Sequence, residues 1–345
     1  VITIIILLIL ATISIQSLTN TGLFKNAQKA KDETQNAAEN QAKTLNEYED
    51  ELNKYISGDV KKPVKKVSDN IGSVLSTTDN TELEDAYGNK IVVPAGFKIV
   101  SNSDTNNATT VDKGIVIEDA TTGATAGSQF VWIPVGKIYT DVAKTDANAK
   151  TIELGRYEFD SNGNKSAYSG SYVEEDKGAT NTTLKNWGNT IAKNITNFKN
   201  SVAANGGYYI GRYEARTTTK RTAEGNTLTQ ITEKGTDQIY NYVKQPQAAK
   251  LSQEMYNSNK FTSDLMNSYA WDTAITFIQK CTDKTNYANQ TSLNESFSST
   301  GTTNDNPCNI FDMSSNVGEF TTETSSYSDF SCVHRGGDCI VSNNY

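Results

Sequence analysis

Hydrophobic and polar positions change their pattern three times along this chain. Residues 1–15 carry no charge and are mostly Ile and Leu. Such a run is slightly short of the ~20 apolar residues that span a bilayer, and it predicts a membrane anchor through residues 1–18. A buried core helix and a cleaved leader are the competing readings, and no small-residue cleavage site with a polar flank stands out. After a break at 19–22 (TNTG), Leu45, Tyr48, Leu52 and Tyr55 recur at spacings of 3 and 4, while Ala27, Ala30, Ala37, Ala38 and Ala42 keep the surface narrow. This predicts one long exposed helix over 23–57, stopped by Gly58. Residues 58–80 mix Lys, Pro and Ser and read as a linker, with Lys61, Lys62, Lys65 and Lys66 solvated rather than held against anionic lipid.

From residue 81 to residue 345 the pattern is that of a separate head. The runs at 89–100 (NKIVVPAGFKIV), 114–119 (GIVIED) and 128–139 (SQFVWIPVGKIY) are β-branched and aromatic, and turn residues bound them. They predict short strands. Leu184, Trp187, Ile191, Ile195, Phe198 and Val202 predict an amphipathic helix that ends at ANGG (204–207) and leads into the strand YYIGRYEA (208–215). Further helices are predicted from near Pro246 and over 265–281. Short strands and a few helices in no strict alternation make the fold class α+β. The tetrapeptide GRYE occurs at 155–158 and at 211–214, without the fixed period that a repeat array needs.

Composition narrows the chemistry. The 345 residues are 21% charged and 36% hydrophobic, with a net charge of −8. That balance argues against a nucleic-acid partner, because binding a phosphate backbone takes clustered Lys and Arg. His334 is the only histidine, which disfavours a His-rich zinc site or a His-paired haem. Four cysteines, Cys281, Cys308, Cys332 and Cys339, allow two disulfides in three connectivities, or none. Cys281 sits at the end of a helix with apolar spacing and reads as core, as do Trp132, Trp187 and Trp271.

Residues 309–320 read NIFDMSSNVGEF and hold two carboxylates, Asp312 and Glu319, about small turn-forming residues. Together with FVWIPVG (130–136), YYIGRYEA (208–215), LMNSYAWDTAITFI (265–278) and HRGGD (334–338), in that order, this stretch resembles the formylglycine-generating-enzyme/sulfatase-modifying-factor family. The match covers roughly 127–345. It implies a C-type-lectin-like head, with a family domain that continues past the Arg-Gly-Gly motif, so the resemblance also implies that the chain is cut short at its C-terminus. The apolar segment and long helix of residues 1–57 resemble a type IV prepilin or pseudopilin stem.

One calcium site of that family maps onto the side chains of Asp312 and Glu319 and the backbone carbonyls of Ser315 and Val317. Calcium takes six to eight oxygens, which a tight turn with two carboxylates can begin to supply. The competing reading is a metal-free loop in which the two acids cap backbone amides. A catalytic carboxylate pair is the least favoured. Asn316 is expected to serve the turn itself. Gly318 stands where the family has Trp, while Phe320 keeps the second aromatic.

The family's oxidases hold copper with two cysteines after the Arg-Gly-Gly motif. The first of those positions is Val341 here and the second falls past Tyr345, with Cys339 two places early. The expectation is therefore a non-catalytic surface protein. It has a pilin-like stem, with pilin or pseudopilin subunits as possible partners, and a lectin-like head that takes a surface ligand, a glycan or a protein. A protein-modifying oxidase and a purely structural minor pilin are the alternatives.

Overall fold

The computed structural model describes residues 23–57, 64–174, 195–289, 301, 304–325 and 332–337. The expected anchor, Trp187 with its part of a helix, Cys339 and Val341 lie outside the described residues. The chain forms two compact units, residues 1–63 and 64–345. In the first, helix α1 runs over Leu23–Ser57, as the spacing of its apolar residues predicts. At 35 residues it is ~50 Å long. Leu45 and Tyr48 are 60% and 67% exposed and lie one turn apart on it. Among the described residues no helix is long and apolar enough to cross a membrane.

The second unit is mixed α+β. Its main sheet has four antiparallel strands, β4 (Phe97–Val100), β5 (Val116–Asp119), β6 (Gln129–Pro134) and β11 (Gly207–Gly211), in the order β11-β6-β5-β4. Trp132 of β6 pairs with Tyr209 of β11, and Val131 is shared between Val116 and Ile210. The hydrophobic runs of the sequence thus become the centre of the sheet. Three smaller ladders surround it: β7 (Gly136–Tyr139) with β8 (Ala149–Ile152), β9 (Tyr157–Phe159) with β10 (Lys165–Ala167), and β12 (Arg216–Thr217) with β13 (Gln238–Ile239). A fourth, β14 (Glu319–Thr324) with β15 (Cys332–Arg335), carries the last two sequence motifs.

Residues 64–80 correct the expected linker, because they belong to the head. Strand β1 (Lys65–Lys66) lies parallel to β2 (Thr81–Glu84), which pairs antiparallel with β3 (Lys90–Val93). Val67 is fully buried and its N–H donates to the Glu84 carbonyl at 2.9 Å. Lys65 and Lys66 are exposed, and the Lys66 ammonium meets Glu84 at 3.0 Å. A polar stretch of this kind is recruited by backbone pairing with β2 and β4 and by one buried valine, signals too sparse for periodicity to register.

Three helices complete the described head: α2 (Ile195–Asn205), α3 (Gln245–Met255) and α4 (Ser268–Cys281). Helix α4 starts three residues later than its apolar pattern suggests. Asn267 stays extended and its side chain accepts the Ala270 N–H, capping the first turn. From α4, Trp271, Ala274, Ile275, Phe277 and Ile278 pack into the same core as Ile117, Val131, Trp132 and Ile133. Trp132 and Trp271 are core, as expected, at 1% and 2% exposure. Cys281 and Cys308 pack against that core, and burial pushes the Cys281 thiol up to about 12.

The core is tied to the acidic motif by Asn309, which opens it. Its side-chain amide donates to the carbonyls of Gly114 (2.8 Å), Thr105 (3.1 Å) and Lys113 (3.3 Å), and its oxygen accepts from Asn106 at 2.9 Å. Gly114 allows this approach. A Cβ there would lie 1.9 Å from the Cys308 carbonyl oxygen, and its φ of +78° is also one that favours glycine. Asn309→Ala leaves those carbonyls without their donor while opening little volume. It should lower stability by about 1–3 kcal/mol, read from urea unfolding of the full chain in detergent, with the α1 signal unchanged.

Candidate functional site

Two buried polar assemblies and one cleft occupy the end of the head where the sequence motifs converge. The first assembly is an ion-pair lattice. Arg335, from the Arg-Gly-Gly motif, clasps Glu323 of β14 through Nε (2.6 Å) and Nη2 (3.0 Å), and reaches Asp272 of α4 through Nη1 at 2.8 Å. Arg156, from the first GRYE, also pairs with Glu323 and lies 3.8 Å over the ring of Tyr168. Both carboxylates are fully buried. Burial disfavours a charge on Glu323, but the hydrogen bonds and charges of Arg335 and Arg156 outweigh it and hold the carboxyl below its usual range. Asp272 goes the other way: burial pushes it up to about 7, against the pull of Arg335 and the Tyr157 N–H. Glu174 adds a further tie, accepting the Ser268 N–H at the start of α4 (2.9 Å) and the Thr322 hydroxyl (2.7 Å).

The second assembly is the acidic turn, residues 312–319. Asp312 and Asn316 both adopt positive φ, 64° and 68°. Glu214, from the second GRYE, holds the turn from across the fold. It accepts the Asn316 side-chain amide at 2.7 Å and the Val317 N–H at 3.1 Å. Asn316 therefore serves the turn, as expected, through its positive φ and its bond to Glu214. Asp305 braces the other side, accepting the Ser314 N–H (3.0 Å), the Ser314 hydroxyl (2.7 Å) and the Tyr287 hydroxyl (2.8 Å). Asp312 accepts from the Gly301 N–H and the Ser315 hydroxyl, each at 3.3 Å.

Glu319 ends the turn, and its Oε2 is buried with no hydrogen-bond partner among the described residues. Burial pushes its carboxyl well above the usual range, and the nearby charges of Glu214, Asp312 and Asp305 push in the same direction. Gly336 makes room for it. A Cβ at that glycine would lie 2.3 Å from Glu319 Oε2 and 3.3 Å from the Met313 carbonyl oxygen. The two acids expected at the metal site, Asp312 and Glu319, thus act on each other through space, in a concentration of negative charge with Glu214 and Asp305. Among the described residues no three His, Cys, Asp or Glu side chains converge as a metal cluster. Any cation here would draw on the carboxylates of Asp312 and Glu319 and on backbone carbonyls.

Beside the turn lies an open cleft of about 310 Å³, lined among others by Asn102, Asp104, Gln129, Arg212, Tyr213 and Lys234. Arg212 is 2% exposed. It donates to the Gln129 side-chain oxygen (2.5 Å), the Tyr213 hydroxyl (3.0 Å) and the Asp104 carbonyl. The Tyr213 ring stacks on Phe311 at 5.2 Å with 10° between planes, and the Phe311 N–H donates to the Arg212 carbonyl at 2.9 Å. Cleft and acidic turn therefore share a wall. Glu233, next to Lys234, is buried, and burial pushes its carboxyl well above the usual range against the pull of Arg216.

The motif residues Asp312, Asn316 and Glu319 were visible in the sequence, whereas Glu214, Asp305 and Arg212 were not singled out. The two copies of GRYE were the available signal. They are not a repeat of structure but two separate arms, Arg156 serving the lattice while Arg212 and Glu214 serve the cleft and the turn. His334 lies in β15 as expected and is exposed, its ring 4.3 Å from that of Phe320.

Glu323→Gln would leave Arg156 and Arg335, with 13% and 10% side-chain exposure, without their shared carboxylate. Breaking a buried pair in this way should destabilise the head by about 3–5 kcal/mol at neutral pH. A depressed carboxyl stabilises above its unfolded pKa and loses that contribution as pH falls through the folded one. Unfolding curves of wild type and variant should therefore converge as pH drops below 4.5, the ordinary glutamate value.

Comparison of the whole chain with protein-family profiles, with curated proteins and with solved structures finds no match.

Proposed function

We propose that this chain is a non-catalytic surface protein whose C-type-lectin-like head binds a ligand in the cleft beside the acidic turn. In this reading residues 1–18 anchor the chain in a membrane, or pack among pilin or pseudopilin subunits, and α1 is the stem. The ligand belongs to a surface outside the cell, as a glycan or a protein. The observation that carries the reading is the cleft. It offers charged, amide, hydroxyl and aromatic groups on side chains already fixed by hydrogen bonds and stacking, which lowers the entropy lost on binding.

The resemblance in motif order supports the lectin-like assignment, with the limit that such a fold hosts enzymes and binders alike. Calcium fits the acidic turn as a structural ion. Glu319 Oε2 has no other partner among the described residues, and four carboxylates, those of Glu214, Asp305, Asp312 and Glu319, share the neighbourhood. The side chains of Asp312 and Glu319 with the carbonyls of Ser315 and Val317 are its proposed protein ligands. Bound there, the ion would offset the concentrated negative charge and stiffen the wall shared with the cleft.

Two measurements test this. The full chain in detergent should bind at least one member of a glycan and surface-protein array, and Thr236→Trp, which fills the mouth of the cleft, should abolish that binding. A chain that binds nothing, or a variant that binds as wild type does, defeats the reading. Adding calcium should raise the melting temperature of the head and a chelator should lower it, with the helical signal of α1 constant. An unchanged melting temperature returns the turn to a metal-free loop.

A further inference from the structure

The cleft is unusual for its charge. The whole chain carries −8, yet Arg212 and Lys234 line the cleft against a single carboxylate side chain, Asp104. Among the described residues, every acceptor that holds Arg212 is neutral: an amide oxygen, a phenol and a backbone carbonyl. The Asp104 carboxylate acts on Arg212 only through space, and Glu118 is one step further removed. Glu118 accepts from the Gln129 amide at 2.8 Å and is paired with Lys98 at 2.9 Å. The Arg212 Nε–H is buried with no partner. A guanidinium held out of water with only neutral acceptors is poorly compensated, and an anion brought to it recovers that deficit.

The remaining lining groups suit a small acid. Lys234 is half-buried and uses one N–H on the Ala124 carbonyl at 3.0 Å, which leaves two donors on its ammonium. Tyr213 is fixed between Phe311 and the Arg216 guanidinium, 4.9 Å from its ring, and so presents a rigid edge. A volume of about 310 Å³ lies at the small end for ligand sites, enough for one sugar ring or one to two peptide residues.

We propose that this cleft recognises a carboxylate, carried by an acidic sugar or by the acidic end of a peptide, through the buried Arg212 and the rim cation Lys234. The proposal rests on the ligand-binding reading and narrows it to one chemistry.

Ligand-observed NMR on the full chain in detergent tests it, with D-glucuronate, N-acetylglycine and D-glucose as probes. At least one of the two acids should bind tenfold or more tightly than glucose and should weaken as salt is raised. Lys234→Glu, a charge reversal at a half-buried position, should weaken that acid at least tenfold, and by more than it weakens glucose. Arg212→Gln should abolish acid binding; if that variant fails to fold, Lys234→Glu decides alone. Preference for glucuronate over N-acetylglycine, or the reverse, identifies the source of the carboxylate and supports the proposal either way. Glucose binding as tightly as the acids, with binding lost in Thr236→Trp, would overturn the carboxylate and keep the binding head. Absence of acid binding, or Lys234→Glu binding acids as wild type does, also overturns it.

Discussion

The guanidinium of Arg335 is divided between two buried carboxylates that belong to different parts of the fold. Glu323 lies on β14, and Asp272 lies on the helix that fills the core. A two-stranded ladder such as β14 and β15 has little stability of its own in water, and this division is one of the ties, with Glu174, that hold it to the head. The lattice joins the ladder to α4 and, through Arg156, to the segment before β9. The end of the acidic turn is mounted on it. Glu319 is the first residue of β14, and Gly336 follows Arg335 directly.

The division of polar work between the two assemblies is also informative. In the lattice, two cations face two carboxylates, and hydrogen bonds occupy the oxygens of both. In the acidic turn, negative charge accumulates, with Arg216 and Lys284 as its neighbouring cations. The first arrangement is self-contained and reads as architecture. The second is unbalanced, and imbalance in a buried place is where an external partner has the most to contribute. The cleft shows the same imbalance with the opposite sign, and the two meet at Phe311.

Much of the fold was legible because it follows from short-range rules. The period of the apolar residues in 23–57 and the β-branched runs ending at Gly and Pro gave α1 and the strands of the main sheet. The head's beginning was not legible. Residues 64–80 have no periodicity, and their place depends on pairing with β2 and β4 and on one buried valine, a contact that exists only once the sheet does. The same reason separates the site residues that could be read from those that could not. Asp312, Asn316 and Glu319 signal one another within eight positions, whereas Glu214 arrives from about a hundred residues away. Arg212 is marked in sequence only by the second GRYE; its meaning lies in being buried against acceptors that the fold brings together.

The approach of Glu319 to Gly336 makes two positions behave as one. A Cβ at 336 falls 2.3 Å from the Glu319 carboxylate. No side chain can be accepted there while a long acid remains at 319. Shortening that acid to Asp would withdraw its oxygens and free space for an alanine, although a φ of +89° at Gly336 still resists it. Among divergent copies of this chain a residue other than glycine at 336 should therefore occur only where position 319 no longer carries a glutamate.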